Sequence, residues 1–229
     1  MNKVPLNDTF DKLVALSIEK MAAEEQAHQP YKNTVHIKAQ LQQKMTDFML
    51  QTQTRLDHSI KLCQTFLSQE QIQRIFLPIL RAFNHSPQTL EQREIPNAKV
   101  NNDDYELILA IGEQLTQQQT FHDAIAIYSL LELIKPEDIR AYLQHGRALE
   151  AQGDIATTTQ YYQNMTQALN NPVLNFHAAQ YLLNIGQAFE ATEKINNAIE
   201  ALNSVNTDSP ECVELMAMLQ AFKNAHQLN

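Results

Sequence analysis

Apolar residues recur along this chain at spacings of three and four, the mark of amphipathic helices. Over residues 8–26, Phe10, Leu13, Val14, Ile18 and Met21 share one face, with Asp8 placed as an N-cap and Pro30 ending the helix. A longer stripe then runs through Ile37, Leu41, Met45, Phe48, Thr52, Leu56, Ile60, Cys63 and Leu67. That stripe predicts either a long helix of coiled-coil type or one member of an antiparallel pair. A shorter helix starts at a Ser68 cap and carries Pro78, whose missing backbone donor predicts a kink or a split. Residues 84–104 are polar and read as a linker, so the predicted division is an N-terminal helical region (1–100) and a second domain (105–229).

The second domain has a repeat. Set on the 34-residue helix–turn–helix frame of tetratricopeptide repeats, the segment from Tyr105 puts Gly112 at position 8, Ala124 at 20, Tyr128 at 24 and Pro136 at 32. Small residues at 8 and 20 let two helices approach, an aromatic at 24 fills the space beside them, and proline stops the second helix. The segment from Ile139 repeats this with Gly146 at 8, Gly153 at 15 and Tyr162 at 24, but has Thr158 at 20. A third unit, from Pro172, has Ala179, Gly186 and Ala191 at positions 8, 15 and 20. Residues 211–228, with Val213, Met216, Leu219 and Phe222 inward, are expected to cap the stack. The predicted fold is all-α: three helix pairs (105–138, 139–171, 172–205) and a capping helix, preceded by an N-terminal helical region.

Composition agrees and removes several functions. Four glycines, eight prolines and frequent Gln, Ala and Leu favour helix over sheet. A formal net charge of −9 argues against a nucleic-acid partner. No stretch reaches the roughly 20 apolar residues of a membrane span, and "MNKVPLNDTF" lacks an apolar signal core, so a cytoplasmic protein is expected. Cys63 and Cys212 fall in no pairing motif and read as reduced, buried thiols. His122, His145 and His177 read as structural, with no second ligand at metal spacing from His177. No Ser-His-Asp order, carboxylate pair or glycine loop with a lysine supports an enzyme, and no cofactor or metal is expected.

The stretch "NNPVLNFHAAQYLLNIG" (170–186), with "GRALEAQGDIATTTQYY" (146–162) and "FHDAIAIYSLLELIKPED" (121–138), resembles the class II tetratricopeptide chaperones of bacterial type III secretion. The resemblance covers about 100 of the 229 residues; the family places only a short helical segment before its first repeat. It implies a chaperone that holds an extended, Pro-x-Leu-x-x-Pro-like segment of a translocator or effector in the concave face of the repeats. Positions 2, 5, 9 and 12 of each first helix point to that face. They nominate Leu109, Glu113 and Thr116, then Leu143, Arg147 and Glu150, then Phe176, Gln180 and Leu183, with Glu106, Arg140 and Val173 beside them. Apolar anchors among groups able to bond a peptide backbone suit an extended client better than a reaction. The stripe from Ile37 to Leu67 is expected to pair with a second copy or to touch the client. The alternative reading is a general tetratricopeptide adaptor unrelated to secretion.

Overall fold

The computed structural model describes residues 33–84, 100–204 and 209–226, together with Ala22 and Ala27. Apart from Ala22, which is helical and buried, the helix expected over residues 8–26 lies outside the described residues, as does the interior of the 84–104 linker. Among the described residues there are nine helices and no strand. The chain divides into two compact units: Met1–Ile111 with Leu133–Lys135, and Gly112–Glu132 with Pro136–Asn229.

In the first unit, α1 (Thr34–Phe66) is one continuous 33-residue helix. Asn33 caps it, its side chain accepting the Val35 N–H at 2.9 Å. Helix α2 (Gln69–Asn84) begins at a reciprocal capping box: Ser68 Oγ accepts the Gln71 N–H at 3.3 Å and Gln71 Oε1 accepts the Ser68 N–H at 2.8 Å. The expected split at Pro78 does not occur, for α2 runs through it. Ile75, Phe76 and Ile79 are all buried around the proline, and that burial offsets the lost backbone bond. Leu56, Cys63 and Leu67 of the long stripe are buried, and α1 packs on α2. The antiparallel-partner reading therefore describes this part of the stripe; the side chains of Met45, Phe48 and Thr52 lie outside the described ones. Burial pushes the Cys63 thiol up to about 12, which makes it an inert core residue.

Helix α3 (Asn102–Gln117) begins in this unit. Asn101 caps it by accepting the Asp104 N–H at 2.8 Å, and Arg74 grips the buried Asp104 carboxylate with two donors, Nε at 2.9 Å and Nη2 closer. Helix α4 (Phe121–Ile134) follows a short turn, and the two are drawn close where both belong to the second unit. There Gly112 faces the Tyr128 ring so closely that an added Cβ would stand 2.6 Å from Cε1.

The second unit then repeats a hairpin. Helices α5 (Ile139–Gln152) and α6 (Ile155–Leu169) form one pair, α7 (Pro172–Asn184) and α8 (Ala188–Ser204) the next, and α9 (Pro210–Ala225) packs on α8. Side-chain caps start them: Asp138 for α5, Asp154 for α6, Asn171 ahead of Pro172 for α7, and Ser209 ahead of Pro210 for α9. Gly153 ends α5 at φ +84, a left-handed conformation that a side chain would strain. At positions 8, 20 and 24 the residues named from the pattern are buried, Tyr128, Tyr162, Ala124, Ala179 and Ala191 each being at most 1% exposed, while the third repeat fills position 24 with the buried aliphatic Ile195 in place of an aromatic. Thr158, the polar departure at position 20, is equally buried because its hydroxyl donates to the Asp154 carbonyl at 2.7 Å. The final helix differs from expectation at Val213, which is 60% exposed, while Leu219 is fully buried and Phe222 half-buried.

Candidate functional site

Position 8 of the second repeat sets the site's geometry. With no side chain on Gly146, α6 lies close enough for Tyr162 to cover it, its hydroxyl oxygen 2.6 Å and its ring Cζ 2.8 Å from an ideal Cβ. The Tyr162 hydroxyl then donates to Glu150 Oε1 at 2.5 Å. Burial, and after it that carboxylate, push the Tyr162 hydroxyl well above its usual range, so it stays a donor. Glu150 is thereby fixed at the edge of a shallow cleft of about 380 Å³.

The cleft lies wholly within the second unit. Helix α5 contributes Arg147 and Glu150; α7 contributes His177, Gln180, Leu183 and Asn184; Phe222 and His226 close it from α9 and its C-cap. Four of the predicted groove residues, Arg147, Glu150, Gln180 and Leu183, are thus brought together. Leu143 is half-buried on α5 but does not line the cleft. Phe176 is only 6% exposed and sits against Phe222, rings 5.2 Å apart and edge-on at 85°. It supports the cleft from below, because the terminal helix covers the face that the repeat register leaves open. Glu113 is exposed, and Thr116 is engaged locally, its hydroxyl donating to the Gly112 carbonyl at 2.9 Å and lying 3.0 Å from the Tyr128 hydroxyl. Leu109 belongs to the first unit and is buried there.

The lining residues not nominated from sequence are His177, Tyr181, Asn184, Phe222 and His226. Phe222 and His226 stand four apart on α9, their rings 4.6 Å apart, so the helical spacing carried a signal for both. His177 is drawn in beside Arg147. Burial first, and then the charge of Arg147, hold its imidazole below the ordinary 6.5, so it is neutral near pH 7. His145 serves elsewhere: it is buried, its Nδ1 is 2.8 Å from Glu132 Oε1, and the same oxygen accepts the Tyr161 hydroxyl at 2.6 Å. That cluster ties α4 to α5 and α6. Among the described residues no three His, Cys, Asp or Glu side chains group as a metal site.

The cleft therefore offers two apolar surfaces, Leu183 and Phe222, among amide and guanidinium donors that can bond an extended backbone. No protein-family model matches the chain, and no curated protein matches it. Solved structures do. PcrH from Pseudomonas aeruginosa is 24% identical, covering 56% of this chain and 95% of its own, at a TM-score of 0.45. The type III secretion translocator chaperone SycD of Yersinia enterocolitica is 23% identical, over 56% of this chain and 92% of its own, at 0.45. SycD in complex with a peptide of the translocator YopD is 24% identical, over 57% and 97%, at 0.43. The chain is similar to these three over a little more than half of its length.

Proposed function

We propose that this protein is a chaperone of type III secretion whose cleft holds an extended segment of an apolar translocator or effector, keeping it soluble and competent for export in the cytoplasm. The observation that carries the proposal is the cleft's lining. Leu183 and Phe222 offer apolar contact while Gln180, Asn184 and Arg147 present donors beside them, on two successive repeats and the capping helix. Masking an apolar stretch needs area and backbone bonds, and neither a nucleotide nor a metal takes part. The net charge of −9 keeps such a complex dispersed. Co-expression with a translocator bearing long apolar segments tests this: the client is soluble with the wild type and aggregates with Leu183→Glu/Gln180→Glu. Equal solubility with the variant contradicts it.

The adaptor reading has its own observation. Ile155 and Phe189, in the first turns of α6 and α8, are 59% and 81% exposed and do not line the cleft. If folded partners bind there, Phe189→Ser abolishes binding and cleft variants do not. A homodimer through the N-terminal helices belongs to the main proposal, with Phe66 and Leu77, 37% and 44% exposed, as its apolar contacts. Phe66→Asp/Leu77→Asp then gives a monomer by sedimentation at concentrations where the wild type self-associates; unchanged sedimentation removes the dimer from the proposal.

A further inference from the structure

Arg147 is an exposed cation lining the cleft of a strongly acidic chain, and among the described residues no carboxylate forms an ion pair with it. Its natural mate is Glu150, one helical turn along α5. That acid accepts the Tyr162 hydroxyl instead, held by a ring that the absence of a side chain on Gly146 admits. Two histidines also line the cleft: His177, beside Arg147, is neutral near pH 7 under burial and the influence of Arg147 itself, and His226 stands at the C-cap of α9 with its ring against Phe222. Gln180 and Asn184, four apart on α7, are amides without charge. The guanidinium is thus the cleft's one committed cation among the described lining residues, set beside the apolar surfaces of Leu183 and Phe222.

From this placement we infer that the client segment carries an Asp or Glu side chain that pairs with Arg147, next to an apolar residue seated on Leu183 and Phe222. The inference rests on the cleft being the client site. A planar guanidinium takes a carboxylate through two parallel hydrogen bonds, which fixes the register of an extended chain as well as strengthening its hold. Apolar contact alone would allow the segment to slide by two residues with little change, since alternate side chains of an extended chain share a face. One charge pair removes that freedom. It also gives an acidic chaperone a means to select among apolar segments, because a segment without the acid leaves the guanidinium unpaired and partly desolvated.

The test uses the full chain and a panel of short, terminally blocked fluorescent peptides with one central leucine. A single glutamate is placed at each other position in turn, with glutamine and lysine at the same positions as controls. Anisotropy is expected to show one placement at which the glutamate peptide binds about ten-fold tighter than its glutamine counterpart, a margin that shrinks as salt rises. In Arg147→Gln the margin between the glutamate and glutamine peptides disappears, whatever the loss of a backbone donor does to both affinities, and in Arg147→Glu the preference passes to lysine. Circular dichroism confirms that both variants keep wild-type helicity, as expected for an exposed position. Equal binding of glutamate and glutamine peptides to the wild type overturns the inference and leaves the cleft as client site. A margin that survives Arg147→Gln overturns it likewise. If no peptide of the panel binds the wild type, the cleft reading fails and this inference fails with it.

Discussion

Gly146→Ala probes the joint on which the site is built. A Cβ at this position stands 2.6 Å from the Tyr162 hydroxyl oxygen, 2.8 Å from Cζ and 3.1 Å from Cε1. Comfortable carbon contacts lie near 3.5–4 Å, so α6 or the ring must retreat by about 1 Å. The ring has little room, being 1% exposed and 5.2 Å from the Tyr181 ring, and its hydroxyl is held by Glu150. Overpacking of this kind costs about 1–3 kcal/mol. Alanine recovers about 0.5–1 kcal/mol of helix preference over glycine, leaving a net loss of about 0–2.5 kcal/mol, centred at about 1 kcal/mol. Urea unfolding followed by circular dichroism measures it. The same substitution in a Tyr162→Phe background should cost less, because the nearest atom is gone, and the difference is the coupling between the two positions. A stabilised Gly146→Ala variant, or no coupling to Tyr162→Phe, refutes the close approach of α5 and α6, and with it the placing of Glu150.

Two further outcomes follow from the opposite side of the cleft. Ala179 is fully buried at the matching position of α7, so Ala179→Leu should lower stability by about 1–3 kcal/mol, read from the urea midpoint; an unchanged midpoint denies the tight pairing of α7 with α8. His177 is held below 6.5 in the native chain, so near and below that value the unfolded chain binds the proton more readily. Its contribution to stability is complete above the ordinary value and is lost as pH falls through it toward the native one. His177→Gln should therefore flatten the fall in urea midpoint between about pH 7.5 and about pH 5.5, and an unaltered slope refutes the assignment.

Much of the fold was legible because it is local. Ser68 announced a helix start by chemistry within three residues of the bond it makes, and Asp138, Asp154, Asn171 and Ser209, not singled out from the sequence, cap their helices by the same local chemistry. Position 8 against position 24 was readable as a pairing of small with aromatic, and the structure seats Gly146 under Tyr162 in that way. The split at Pro78 was misjudged because the proline's local penalty is visible in sequence, whereas the burial of Ile75, Phe76 and Ile79 around it is a property of packing. The cleft was half legible for a related reason. Repeat register tells which face a residue takes, and it nominated Arg147, Gln180 and Leu183. It does not tell where the stack ends, and α9, arriving from beyond residue 209, covers Phe176 with Phe222 and adds His226 to the rim.

The central claim is that an extended apolar client lies in the cleft between α5, α7 and α9. Photo-cross-linking from single sites tests it most directly, with a benzophenone side chain at Leu183, which lines the cleft, or at Glu200, which is exposed on α8 and does not. Each variant is co-expressed with a translocator and irradiated, and the adduct is sequenced. One adduct is expected from position 183, mapping to a short segment of the client, and none from position 200. Adducts from position 200 alone, or from both positions alike, would contradict the claim.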